Sequence, residues 1–374
     1  MKKAVIIIPT YNEKGNIERL IKILENEVFP KIKNYEMQIL IADDNSPDGT
    51  GKLVKDLMKQ YKNLYINQGE KQGLGAAYIR AMTYSIEKLD AEVMFEMDAD
   101  FFHDPYRIPA FLKKIDAGYD FVVGTRYSEG GSIPKNWAFN RKFLSVLGNF
   151  IIRLVFTRPG IHDWTGGYRA IRKEVFLKEK DKLNVFKGYR FQVGFLHKAV
   201  QDGFKIAEVP FVAVDRTMGR SKMARGDTIV DTLEYVFYAR FLELERFFKF
   251  LIVGGFGFII NALVLRILVA VFHWDPSPAN LIGAALAIFS NYNLNNIWTF
   301  AEHRIRTVSS YLYKMLQFYA TSAFGVIVIQ TGVIFLGDHF FGKKFYFIYF
   351  LIGTAFLLVW NFIMYSLVIW KKPR

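Results

Sequence analysis

Two aspartates one residue apart, Asp98-Ala99-Asp100, follow an apolar run that ends at Met97. Carboxylates so spaced at the end of a strand can chelate a divalent cation, and such an ion neutralises a diphosphate leaving group. Two further polar loops have the same setting. Pro9-Thr10-Tyr11-Asn12-Glu13 follows the apolar run 5–8, and Asp43-Asp44-Asn45-Ser46-Pro47-Asp48-Gly49-Thr50 follows the run 38–42. Gly73-Leu74-Gly75-Ala76 opens a helical stretch whose bare backbone can come close to a nucleotide. Each loop alone is ordinary turn chemistry. Three in order at strand ends describe one ligand site.

The elements that position them alternate. Short β runs at 5–8, 38–42, 64–67, 93–97 and 121–124 are separated by helical stretches such as 16–27. This pattern predicts a mostly parallel α/β sheet with helices on both faces. Ligands of such sheets bind beyond the carboxyl ends of the strands, where these loops lie.

IPTYNEKGNI, ADDNSPDGT, QGLGAA, MDAD and GTRYSEGG occur in that order. With RPGIHDWTGGYRAIRKEV, KGYRFQV and EVPFVAVDRTMGRSK they span nearly all of residues 1–225. As a set they resemble family 2 glycosyltransferases of the GT-A fold. More narrowly, they resemble the dolichol-phosphate mannose synthases and their polyprenyl-phosphate glycosyltransferase relatives.

The resemblance implies metal-dependent, inverting transfer of mannose from GDP-mannose to dolichyl or another polyprenyl phosphate, with magnesium or manganese as cofactor. It places Pro9, Tyr11, Glu13, Ala42 and Asp44 at the nucleoside. Asp98, Ala99 and Asp100 fall at the metal and the sugar diphosphate. Arg126, Arg141, Arg216 and Lys222 surround the donor and acceptor phosphates, with Arg126, Arg141 and Lys222 on the acceptor side. Asp163 falls near the transferred sugar or the acceptor. One position departs from the pattern. Two residues after Asp100 the family places a polar side chain that helps hold the metal, and here it is Phe102, which cannot ligate. Water, the donor phosphates or His103 remain to complete the shell. His103 is otherwise read as a loop residue bonded to backbone.

The chain has 374 residues, no cysteine and a formal charge of +14. Lack of cysteine removes disulfides, Cys-based zinc sites and thiol catalysis. Residues 1–246 hold 71 of the 84 Asp, Glu, Lys and Arg side chains, leaving only 13 for the last 128 positions. A soluble part is therefore joined to a membrane part. The positive charge suits anionic lipid rather than nucleic acid.

Residues 1–226 are expected to form the catalytic domain, 227–246 an amphipathic interfacial helix or a simple lead-in, and 247–374 an all-α transmembrane domain. Four spans are predicted at about 247–272, 279–300, 315–337 and 345–370, each long enough for a hydrocarbon layer of about 30 Å. Ile229, Leu233, Val236, Phe237 and Phe241 would make one face of the connecting helix.

GGFGFIINALV and SNYNLNNIWTF resemble the GtrA-like family of small four-helix membrane domains. The second span carries Asn280, Asn291, Asn293, Asn295 and Asn296, which must find partners in lipid. Helix packing, oligomerisation and lipid handling are the roles open to them.

The run of residues 4–8 after Lys2 and Lys3 is too short for a signal peptide. Short loops between spans carry six basic residues on the side of the C-terminus against two on the other. Both place the catalytic domain and both termini in the cytoplasm, in a membrane expected to be prokaryotic. No Gln precedes an Arg-Trp pair at the spacing used by processive polysaccharide synthases. Transfer of glucose from UDP-glucose remains an alternative, as does a lipid-sugar flippase carrying an inactive transferase domain.

Overall fold

The computed structural model describes residues 1–186, 188, 190–214 and 226–371. Arg216 and Lys222, assigned above to phosphate binding, lie outside the described residues. Internal contacts divide the chain into two units, Met1–Arg240 and Phe241–Arg374.

The first unit is built on seven strands among the described residues: β1 (Lys2–Thr10), β2 (Tyr35–Asp43), β3 (Leu64–Gln68), β4 (Val93–Glu96), β5 (Phe121–Thr125), β6 (Arg169–Arg172) and β7 (Ile206–Pro210). Their order is β3-β2-β1-β4-β6-β5-β7, and only β6 runs antiparallel to its neighbours. The mostly parallel α/β sheet expected from the sequence is present.

Along β1, Ala4, Ile6 and Ile8 enter one core with α1 (Lys14–Ile23), α2 (Thr50–Leu57) and α4 (Ile108–Asp116). Val5 and Ile7 enter a second core, shared with α3 (Leu74–Leu89), α6 (Lys173–Leu183) and α7 (Arg190–Gln201). Both faces are covered, so β1 is apolar at every position from 4 to 8 rather than alternating. The glycines before α3 serve two different needs. Gly73 has φ +101°, a left-handed backbone that favours glycine, while a Cβ at Gly75 would lie 2.8 Å from the Phe191 ring. Gly75 thus lets α3 pack against α7, a role the motif did not reveal. α5 (Phe139–Val155) differs from the other helices: Phe139, Phe143, Val146, Phe150 and Leu154 are exposed along it.

α8 (Gly226–Ala270) is one continuous helix, so the connecting segment and the first predicted span are not separate elements. The face expected on it is also different. Val236 and Ala239 are buried and Leu233 packs against the same core, whereas Phe237 and Phe241 are exposed. Leu233 and Val236 of the expected face turn inward and are joined by Ala239, which the pattern did not count, while the two phenylalanines stay outside.

In the second unit follow α9 (Pro276–Leu294), α10 (Val308–Phe324), α11 (Thr331–Phe341) and α12 (Tyr346–Met364). Three helical stretches among the described residues are long and apolar enough to cross a membrane: Ile229–Ala270, Val308–Phe341 and Lys343–Ile369. The predicted span 279–300 falls on α9, which is helical for 19 residues but is not among the three. Its asparagines lower its hydropathy.

Most of those amides are engaged. Asn296 accepts from the Ile305 N–H at 2.8 Å and the Trp370 indole at 3.0 Å, and donates to the Ile305 carbonyl at 3.1 Å. Asn293 accepts from the Tyr311 hydroxyl at 2.7 Å. α8 and α9 meet through two reciprocal contacts, in which a Cβ on Gly257 would lie 2.4 Å from the Asn291 amide and one on Gly283 2.3 Å from Asn261 Oδ1. Small residues admit close approach of helices where lipid supplies no hydrophobic drive.

Candidate active site

Asp98 and Asp100 stand just past β4, where the Met97 N–H still donates to the Ile7 carbonyl. The loop beyond is folded by side chains. The Asp98 N–H donates to His103 Nδ1 at 3.0 Å, the Phe102 N–H donates to Asp100 Oδ1 at 3.1 Å, and Phe101 adopts φ +64° between them. His103 is buried and stacked on Tyr168 with centroids 4.9 Å apart. Since Nδ1 accepts, the ring proton sits on Nε2, 3.9 Å from Asp98 Oδ2. His103 therefore bonds the backbone as expected and braces the aspartate loop. No cluster of three or more His, Cys, Asp or Glu side chains suited to a metal occurs among the described residues. Two carboxylates fit a hard cation that retains several waters.

Phe102 has another partner set. Its ring lies parallel to Trp137, with centroids 6.0 Å apart, and the Arg126 guanidinium is 5.8 Å from its centroid. The Arg141 guanidinium in turn lies 3.7 Å from the Trp137 ring centroid. Arg141, Trp137, Phe102 and Arg126 so form one cation–aromatic series that begins two residues from Asp100. The side chain that fails as a ligand instead links the two arginines to the aspartate loop.

Arg126 follows β5 and is only 4% exposed. Its Nε donates to Asp163 Oδ2 at 2.7 Å and its Nη2 to Oδ1 at 2.8 Å, while Asp163 is wholly buried. Two residues expected at the phosphates and the sugar are thus brought together as a bidentate pair. Glu208 of β7 braces it from behind, accepting the His162 N–H at 2.6 Å and the Asp163 N–H at 3.1 Å.

At the other end of the site Pro9 pairs with Ala42 in register, and the Thr10 hydroxyl donates to Asp43 Oδ1 at 3.0 Å. Asp43 also accepts from the Ser46 hydroxyl at 2.5 Å, so the first aspartate of its loop holds the turn. Asp44 instead accepts from Arg80 Nη2 at 2.9 Å. Glu13 accepts from Asn16 at 3.0 Å, and its N–H donates to the Thr50 hydroxyl at 3.1 Å. Lys71 lies 3.4 Å over the Tyr11 ring.

These loops match known proteins. Residues 5–178 fit the model of glycosyl transferase family 2, and residues 249–370 fit the GtrA/DPMS transmembrane domain. The dolichol-phosphate mannosyltransferase of Pyrococcus furiosus is 33% identical over 347 residues, covering 90% of this chain and 92% of that one. The chain belongs to glycosyl transferase family 2. This glycosyltransferase is also 36% identical over 225 residues to the polyprenol monophosphomannose synthase of Mycolicibacterium smegmatis, covering 60% of this chain and 82% of that one. Among solved structures, glucosyl-3-phosphoglycerate synthase from Mycobacterium tuberculosis with Mn2+, UDP and phosphoglyceric acid is a distant likeness. It has TM-score 0.47 and 15% identity over 64% of this chain and 78% of that one. With its transmembrane domain and three apolar helices, the glycosyltransferase is a membrane protein.

Several residues that shape the glycosyltransferase site were missed from sequence: Asp43, Arg80, Trp137 and Glu208. The Pro-Asp-Gly turn signals Asp43, but nothing local signals a partner as distant as Glu208 is from His162. Glu96 was missed as well. It faces Arg169 across β4 and β6 at 3.8 Å, and both are wholly buried.

Burial, the larger influence, pushes the Glu96 carboxyl up to about 7 against the opposing pull of Arg169. The unfolded chain releases that proton at lower pH. Stability from this group is therefore full below about pH 4.5 and is lost as pH rises through 7, on the order of 3 kcal/mol in all. Unfolding of detergent-solubilised protein followed from pH 5 to 8 should show this decline. In Glu96→Gln it should flatten.

Proposed function

We propose that this glycosyltransferase moves mannose from GDP-mannose to dolichyl or a related polyprenyl phosphate, with inversion at the anomeric carbon. The observation that carries the proposal is the series from Asp100 through Phe102 and Trp137 to Arg141. It joins a carboxylate pair suited to a sugar diphosphate to a cation on α5, the helix with an exposed apolar side. A lipid phosphate needs that combination of charge and grease. The names of the two relatives support mannose and a polyprenyl acceptor.

Asp98 and Asp100 would hold magnesium or manganese, which when bound offsets charge on the donor diphosphate. The acceptor is a phosphate monoester, whose second pKa near 6 leaves its oxygen largely ionised at pH 7. No general base is then required of the protein. Its task is to bring two anions together, which falls to Arg126, Arg141, Arg216 and Lys222. The attacking phosphate oxygen forms the new bond to the anomeric carbon as the bond to the diphosphate breaks, and GDP leaves. Pro9, Tyr11, Glu13, Ala42 and Asp44 hold the nucleoside. The same reading gives the membrane domain four spans, counting α9, with both termini and the catalytic domain cytoplasmic and homo-oligomers formed through the membrane helices.

Full-length protein in liposomes, given radiolabelled GDP-mannose and polyprenyl phosphate, should form mannosyl lipid and lose this activity in EDTA. Product from UDP-glucose alone would move the assignment to glucose. Lipid translocation without any glycosyl transfer would replace it with the transport reading.

A further inference from the structure

Arg80 belongs to no motif and its position on α3 is explained by neither the fold nor the transfer chemistry. Its Nε donates to Asn67 Oδ1 at 2.8 Å and its Nη2 to Asp44 Oδ1 at 2.9 Å. The guanidinium lies flat over Gly69, where a Cβ would be 2.5 Å from Cζ and from Nη1. Asn67 and Gln68 end β3, Asp44 follows β2 and Tyr11 follows β1, so Arg80 reaches across the carboxyl ends of adjacent strands. Its side chain is 26% exposed and that of Asp44 11%.

Neither Arg80 Nη1 nor Asp44 Oδ2 takes part in a hydrogen bond among the described residues. The pair so presents a fixed cationic donor beside a carboxylate acceptor, in a crevice partly open to solvent. A ring N–H next to a carbonyl oxygen is the complementary edge. Guanine and uracil both have that edge, but only guanine adds a 2-amino group that gives the carboxylate a second donor. Adenine offers an amino group and an unprotonated ring nitrogen instead.

Resting on the nucleoside site proposed above, we propose that Arg80 is a specificity-determining residue. It holds Asp44 by one oxygen, so that the carboxylate takes guanine N1–H and N2–H, and it donates to guanine O6. Asn67 and the bare face of Gly69 fix the guanidinium in that orientation. The cost of leaving a charged donor or acceptor unpaired gives the selectivity.

The test is displacement of a fluorescent GDP analogue from full-length detergent-solubilised protein by GDP, IDP, UDP and ADP. Wild type should prefer GDP, bind IDP and UDP more weakly for want of the 2-amino group, and bind ADP weakest; a wild type that prefers UDP to GDP would overturn the proposal. Arg80→Leu should weaken GDP and IDP about ten- to a hundredfold while ADP moves less than threefold. Arg80→Lys should recover part of the preference. Gly69→Ala, which displaces the guanidinium without removing it, should reproduce the loss.

A uniform loss for all four nucleotides, or an unchanged GDP-to-ADP ratio in Arg80→Leu, would overturn the proposal and leave the nucleoside site standing. Failure of wild type to bind any nucleotide would overturn both.

Discussion

Replacing Asp100 with asparagine should lower glycosyl transfer by about a hundredfold or more with little change in unfolding temperature. The stability half of this rests on shape. Asp100 is nearly buried and uses Oδ1 to accept the Phe102 N–H, a bond the asparagine amide oxygen can keep. The activity half rests on charge. One formal negative charge disappears where the proposal places a cation and a diphosphate, and preorganised charge of this kind is worth two to three orders of magnitude. Asp98→Asn should behave alike, and the double variant should be little worse than either, since the two act as a unit. The measurements are kcat with saturating donor and the thermal midpoint in the same detergent. An Asp100→Asn enzyme with more than a tenth of normal kcat would remove the pair from the donor site.

The second large effect is on folding. Arg126→Met should destabilise the first unit by about 3–5 kcal/mol, because it strands the wholly buried Asp163 carboxylate without its bidentate partner. Asp163→Leu alone should cost a similar amount by stranding the guanidinium. The double variant Arg126→Met with Asp163→Leu should recover most of the stability and none of the transfer. Denaturant unfolding of the four proteins closes a cycle whose coupling measures the pair. If Arg126→Met alone is as stable as wild type, the pair is not the buried bridge described above. The double variant also separates two roles that a single substitution confounds, since a poorly folded protein and a site without its arginine look alike in an activity assay.

What the sequence disclosed follows from the range of the interactions. The mainly apolar runs before positions 9, 43, 68 and 98, broken only by Asn67 and Glu96 once Gln38 is left outside, fall within β1, β2, β3 and at the end of β4. β6 is the run Arg-Ala-Ile-Arg, and no local pattern marks a strand bracketed by arginines. Arg169 becomes a core residue only because Glu96 lies opposite it, which is a fact of pairing and not of sequence order. The same holds within the site. His103 meets its partner, the Asp98 N–H, within five positions, and its bond to backbone was legible. Arg126 and Asp163 stand in separate motifs, and no local signal joins them as a pair across 37 positions. Phe102 read as a loss because its gain, the stack on Trp137, is assembled by a loop distant in the chain.

In the four-span reading proposed above, the reciprocal contacts of α8 and α9 bear on how this protein meets bilayers of different thickness. Gly257 receives Asn291 and Gly283 receives Asn261, one slot and one tooth on each helix. Sliding one helix along the other by a turn, about 5.4 Å, would put Val253 or Asn261 in place of Gly257 and Ala279 or Ala287 in place of Gly283, so an amide would meet a side chain at both places. The two helices are thus indexed along their length and cannot match a thinner or thicker hydrocarbon layer by slipping past one another. Adjustment to hydrophobic mismatch is left to tilting of the pair as one body, or to deformation of the lipid around it.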